Sequence, residues 1–181
     1  MRYAKIDKFE VCNGEGVGMS LFVQGCNFHC PGCFNSDIWD FTGGYEWDNK
    51  AIDDFLNLAS RQYIDRISIL GGEPLASQNL DDVYKLVVEI RKKLPEKCIW
   101  LYSGYTWEEC NMILKGIDEE CTKYNAENKK RIEIISLCDT FVDGRYIDSK
   151  KDLTLKFRGS SNQRIINVTN SLKMKTIMCQ E

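Results

Sequence analysis

The chain has 181 residues, 43% hydrophobic and 28% charged, with a formal net charge of −3 and nine cysteines. At about 150 residues per domain this is a single domain over residues 1–181, large enough to bury roughly 70% of its unfolded surface. The acid excess argues against a nucleic-acid surface, no apolar run reaches the ~18–20 residues of a membrane helix, and Met1 to Glu10 lacks a signal-peptide core, so a cytoplasmic protein touching neither membrane nor nucleic acid is expected. The cysteine fraction falls below the roughly 8–10% of a disulfide scaffold and the count is odd, so thiols in a reducing compartment are expected, as core residues or as ligands.

In chain order, Ser20 to Gln24 reads as a short buried strand running into Gly25 and Cys26. Ala51 to Gln62 reads as a helix with Ile52, Phe55, Leu56 and Ala59 on one face. Arg66 to Leu70 is a second strand, stopped by Gly71-Gly72. Asn79 to Leu94 carries the best helical stripe, with acids in its first turn, lysines in its last and Pro95 after it. Cys98 to Tyr102 is a third strand. Thr106 and Glu109 have capping-box spacing for a helix that Gly116 closes. Residues 117–130 are polar and fit either a helix or a surface excursion, and Arg131 to Leu137 fits helix and strand equally. Thr140 to Asp143 reads as a fourth strand. Leu153 to Phe157 and Ile165 to Val168 are apolar–polar runs separated by the polar loop Arg158 to Arg164.

Strands alternating with helices predict an α/β fold with a mostly parallel sheet. Ligands of such sheets sit beyond the carboxyl ends of the strands. Those ends are Cys26, Gly71-Gly72-Glu73-Pro74, Ser103-Gly104 and Asp143-Gly144-Arg145, so the chemically suggestive residues share one predicted edge.

The strongest motif is Cys26-Asn27-Phe28-His29-Cys30-Pro31-Gly32-Cys33, a C-x3-C-x2-C loop. Three thiols within it converge on one metal centre if the loop wraps, and Gly25, Pro31 and Gly32 supply the turns. Three is one short of a closed zinc site and one short of the usual four thiolates of a [4Fe–4S] cluster. His29 would complete a zinc site; a cube with three ligands would keep an iron open for substrate. Gly14-Glu15-Gly16-Val17-Gly18 lacks the ending and context of a phosphate loop and reads as a flexible loop before the first strand.

C-x3-C-x2-C after the first strand and GGEP after the second resemble the radical S-adenosylmethionine (SAM) superfamily. NGEGVGMSLFVQGCNFHCPGCFN, LGGEPL, LYSGYTWEE, FVDGRY and RGSSNQRIINV, in this order over nearly the whole chain, resemble the anaerobic ribonucleoside-triphosphate reductase-activating family of glycyl-radical-enzyme activases. The resemblance implies an incomplete, TIM-like βα barrel, since a closed one takes about 250 residues. It implies a [4Fe–4S] cluster on Cys26, Cys30 and Cys33, whose open iron chelates SAM. Reductive cleavage of SAM then gives a 5′-deoxyadenosyl radical that takes hydrogen from a glycine of the partner reductase. A reduced flavodoxin or ferredoxin would donate the electron.

The resemblance also implies SAM contacts at Gly71, Gly72 and Glu73, with Glu73 accepting from the ammonium. Gly32 and Phe34 would meet the adenine, Asp143 and Arg145 the ribose and the methionine carboxylate, and Ser103 would reach SAM from the third strand. Many superfamily members have an aromatic residue where this chain has Gly32, an arrangement the activase subgroup shares. Many related activases have an arginine where this chain has Gly18. Other readings are an activase of another glycyl-radical enzyme, a small-molecule radical SAM enzyme, or a non-catalytic iron–sulfur or zinc protein.

Overall fold

The computed structural model describes residues 1–110 and 122–180. Its strands are β1 (Arg2–Glu10), β2 (Gly18–Val23), β3 (Tyr45–Glu46), β4 (Arg66–Gly71), β5 (Cys98–Ser103), β6 (Thr140–Asp143) and β7 (Arg164–Asn167). Its helices are α1 (Asn49–Ala59), α2 (Leu80–Lys93), α3 (Trp107–Cys110), α4 (Thr122–Ser136) and α5 (Val168–Met174). The strands form one open sheet in the order β3-β1-β2-β4-β5-β6-β7.

The four central strands β2, β4, β5 and β6 are parallel, as the alternating pattern predicts. The outer pairings β1–β2, β1–β3 and β6–β7 are antiparallel, so the sheet as a whole is mixed. β1 and the two-residue β3 are strands that the sequence reading did not place. The charged–apolar sequence of β1 suits a half-exposed outer strand, and none of its residues is fully buried. On the opposite edge, the Asn167 N–H donates to the Met178 carbonyl and the Gln180 N–H to that of Ile165, so the C-terminal segment covers β7.

Strand pleating splits the side chains between two faces. Met19, Leu21, Ile67, Ile69, Ile99, Leu101 and Phe141 face the helices and form the main core. α2 contributes Leu80, Val83, Leu86, Val87 and Ile90, each worth roughly 1.5–3 kcal/mol when fully buried. Its termini follow the helix dipole, with Asp81 and Asp82 in the first turn and Arg91, Lys92 and Lys93 in the last. Asp48 caps α1 by accepting from the Ala51 N–H at 2.8 Å. The capping box at α3 forms both ways: the Thr106 N–H donates to Glu109 Oε2, and the Glu109 N–H to Thr106 Oγ1. The expected close of that helix at Gly116 lies outside the described residues, as does the first part of the polar 117–130 segment. Arg131 to Ser136 is helical in α4, because Asn128, Arg131, Ile134 and Ile135 turn one face into the protein.

The other face of the sheet is concave and chemically different. At its floor lies Arg66, fully buried and ion-paired with Glu10 at 2.8 Å. Its guanidinium donates to the Asn13 and Glu15 carbonyls at 2.7 and 3.1 Å and contacts Ser68 Oγ. A Cβ on Gly14 or Gly18 would lie 2.5 Å from Arg66 atoms. The glycine-rich loop is therefore wrapped on a buried cation and is not the free loop its composition suggests. Above this floor Trp100, Val142 and Ile165 form a second cluster, with Tyr102 and Phe157 packed against it. Leu153 to Phe157 makes no strand; it is part of the loop that returns over this concave face. An α/β sheet with helices on one side and an open concave face on the other is compatible with a partial barrel.

Candidate functional site

Beyond the carboxyl ends of β2, β4, β5 and β6 the concave face opens into a cavity of about 600 Å³. β2 delivers Cys26 to its edge. The loop that follows is pinned back by the 35–40 segment, with the Gly25 and Cys26 N–H groups donating to the Ile38 and Trp39 carbonyls, both at 2.9 Å. The Cys33 N–H closes a turn onto the Cys30 carbonyl at 3.1 Å. Cys26, Cys30 and Cys33 all line the cavity. Two of their sulfurs accept backbone hydrogen bonds, Cys26 Sγ from the Phe28 N–H at 3.4 Å and Cys33 Sγ from the Asn35 N–H at 3.5 Å.

Burial pushes the Cys26 thiol up, opposed by the Phe28 N–H. Burial and then the neighbouring Cys33 push Cys30 up. Thiolates here need a cation to share their charge, while N–H groups already point at two of the sulfurs. That donor set, soft sulfur ligands in a partly dry wall, fits an iron–sulfur cluster. Among the described residues no three His, Cys, Asp or Glu side chains close on a single ion. His29 adopts φ +48 and its ring stacks on Trp39 at 4.8 Å; it does not line the cavity.

The GGEP segment sits directly against the cysteine loop. A Cβ on Gly72 would lie 2.2 Å from the Gly25 carbonyl oxygen, and one on Gly71, at φ +111, would lie 2.7 Å from Phe22 Cα. Glycine is therefore required for β4 to pack against the end of β2, whatever else binds there. The Glu73 N–H donates to the Gly25 carbonyl at 2.7 Å. The Glu73 side chain is buried; Oε1 accepts from the Leu75 N–H at 2.8 Å and from Ser103 Oγ at 2.7 Å, and Oε2 from the Gly104 N–H at 2.7 Å. Burial pushes its carboxyl up to about 7, against the pull of these donors. Ser103 thus meets Glu73 directly, a link that strand spacing alone does not reveal.

Asp143 and Arg145 do not pair with each other. Asp143 is buried, accepts from the Trp107 N–H at 2.8 Å and is ion-paired with Arg164. It faces an adjoining groove and not the cysteine-lined cavity. Arg145 does line the cavity; it pairs with Glu109 at 2.9 Å and lies over the Phe28 ring at 4.5 Å. Phe34 is at the mouth, edge-on to Tyr146. Gly32 sits at φ +74, a left-handed conformation that favours glycine, with the exposed Asp148 side chain against it.

Several cavity residues escaped the sequence reading. The Asn35 amide donates to the Gly71 carbonyl at 3.2 Å, tying the cysteine loop to β4. Leu155, Phe157 and Arg158 form part of the cavity wall. The apolar–polar run Leu153 to Phe157 is the sequence signal for that wall. The RGSSNQR segment is mainly a hydrogen-bonded turn: Gln163 Oε1 accepts from the Gly159 and Ser160 N–H groups, and its amide donates to the Gly144 carbonyl.

Residues 12–166 match a family model described as a 4Fe-4S single cluster domain, the class that the three-thiol wall and its fold define. The chain is 34% identical over 165 residues to the anaerobic ribonucleoside-triphosphate reductase-activating protein of Escherichia coli (strain K12), covering 90% of this chain and 96% of that one. It is 30% identical over 174 residues to the protein of that name from Enterobacteria phage T4 (95% and 97%) and 31% identical over 171 residues to that of Vibrio cholerae (93% and 99%). The chain belongs to the family of anaerobic ribonucleoside-triphosphate reductase-activating proteins. No helix among the described residues is long and apolar enough to cross a membrane.

Proposed function

We propose that this protein activates an anaerobic ribonucleoside-triphosphate reductase as a radical SAM enzyme, in a single partial-barrel unit over residues 1–181. The observation that carries this reading is the wall of three thiols in a cavity of about 600 Å³, which leaves room for a small molecule beside a cluster. When bound, the [4Fe–4S] cluster supplies one electron that breaks the S–C5′ bond of SAM, and the radical so formed takes a hydrogen from a glycine Cα of the reductase.

The chain's own residues bind, orient and exclude water. Cys26, Cys30 and Cys33 hold the cluster, and the Phe28 and Asn35 N–H groups orient two of the sulfurs. A carboxylate has about four acceptor sites, and three on Glu73 are taken, so one is left for the ammonium of SAM. Ser103 fixes Glu73 in place, and Gly71 and Gly72 let that segment approach the cysteine loop. Arg145 binds the carboxylate of the methionine half, where a charge-assisted pair is strongest. Backbone at Gly32 and Phe34 meets the adenine. Asp143 acts by positioning, through Arg164 and the start of α3. Leu155 and Phe157 keep water from the reacting side. The electron comes from a reduced flavodoxin or ferredoxin in the cytoplasm, with no part for membrane or nucleic acid.

The test is anaerobic reconstitution with iron and sulfide, then reduction and incubation with SAM. Iron content, the reduced-cluster EPR signal and 5′-deoxyadenosine by chromatography are the readouts. Each should vanish when Cys26, Cys30 and Cys33 are together replaced by Ala. Full iron content in that triple variant would sink the assignment. So would intact SAM after reduction of a complete cluster in the presence of the reductase.

A further inference from the structure

We propose that the strip formed by residues 145–158 is the docking surface for the reductase, and that it receives an acidic face of that partner around an apolar centre. This rests on the function proposed above. The strip holds five cations, Arg145, Lys150, Lys151, Lys156 and Arg158, against two carboxylates, Asp148 and Asp152. It is thus net +3 within a chain whose net charge is −3, so the remaining surface is more acidic still.

The strip's position follows from the fold. It leaves the carboxyl end of β6, rims the cavity mouth and returns to β7. Its base is closed, with the Asp152 N–H donating to the Gly159 carbonyl at 3.2 Å and the Ser161 N–H to that of Lys150 at 2.9 Å. Phe157, at φ +57, anchors the inner side with its ring edge-on to Trp100 at 5.3 Å. Lys150, Lys151 and Lys156 are left to solvent, and Leu153 is 78% exposed at the rim of the cavity.

What sets these lysines apart is that three of them stand within seven residues of one loop at the cavity mouth. Lys50, Lys93 and Lys130 pair with Asp54, Glu89 and Asp81. Among the described residues no carboxylate pairs with Lys150, Lys151 or Lys156; Lys151 lies over the Phe34 ring at 5.2 Å. Adjacent unpaired cations repel one another and favour an incoming anionic surface. Leu153 and Phe34, the latter 59% exposed, sit among them and give an apolar contact that suits a protein better than a nucleic acid. The strip is also continuous with the cavity, over which the reductase glycine has to be brought.

The experiment measures anaerobic association of the whole protein with the whole reductase across salt concentrations. A variant carrying Lys150→Glu, Lys151→Glu and Lys156→Glu should associate about tenfold or more slowly at low salt. The difference should shrink toward ~0.5 M salt as the charges are screened. Iron content and reductase-independent SAM cleavage should stay at wild-type level, because none of these lysines lines the cavity. Leu153→Asp should raise the dissociation rate. An unchanged association rate and salt dependence in the lysine variant overturns the docking surface and leaves the function standing. Failure of the wild-type protein to bind the reductase at any salt overturns the function itself. Salt-sensitive binding of a single-stranded oligonucleotide, lost in the lysine variant, reassigns the strip to nucleic acid and overturns the proposal.

Discussion

Replacing Arg66 by Met should cost about 3–5 kcal/mol, because it removes the only cation paired with the largely buried Glu10 carboxylate among the described residues. The Arg66 side chain is 1% exposed and that of Glu10 11%, and their ion pair spans 2.8 Å. Methionine fills much of the volume but leaves the Asn13 and Glu15 carbonyls without their donors and Glu10 with only Ser20, Cys12 and Asn13. For a domain of this size the loss corresponds to a fall of about 6–20 °C in Tm. Burial alone would raise the Glu10 carboxyl, but the Arg66 bond, with help from Ser20 and Asn13, holds it below the ordinary 4.5. A carboxyl lowered in the folded state stabilises the fold above its unfolded pKa, and that contribution is lost as pH falls through the folded value. In Arg66→Met the strongest lowering partner is gone, so this group's contribution on the acid side shrinks. The assay is anaerobic urea denaturation from pH 4 to 8 for the wild type, both single variants and Glu10→Gln/Arg66→Met. The pair should show a coupling of about 0.5–3 kcal/mol. A single variant within ~1 kcal/mol of wild type, with no coupling, would refute the buried-pair argument.

Gly14→Ala and Gly18→Ala should each destabilise by about 1–3 kcal/mol, since the new methyl meets Arg66 2.5 Å away; thermal unfolding checks this. Cys110→Ala and Cys138→Ala should keep full iron content while losing stability, because both thiols are buried away from the cavity wall; iron analysis beside Cys30→Ala decides it. Glu73→Gln places an amide N–H₂ among three donors, so at least one of Ser103, Gly104 and Leu75 loses its acceptor. The expected cost is about 1–3 kcal/mol in stability, accompanied by weaker SAM binding in equilibrium dialysis. Unchanged SAM affinity with reduced stability would confine Glu73 to a structural role.

The local chemistry was legible in the sequence because short-range spacing encodes it. C-x3-C-x2-C puts three thiols in one loop, glycine pairs end strands, and 3.6-residue stripes mark α2, so the shared carboxyl edge of four parallel strands followed from order alone. What only the tertiary structure decided was which polar groups spend their capacity on each other. Glu73 with Ser103, Asp143 with Arg164 and Glu10 with Arg66 are pairs separated by 20 to 60 residues, set by sheet register and not by any local pattern. A half-exposed strand such as β1 and a wall loop such as 153–157 both mix apolar and polar residues, and only the availability of a strand partner tells them apart. Chemistry that lies within one loop is written locally; burial, ion pairing and the wall of a cavity depend on which distant segments the sheet brings together.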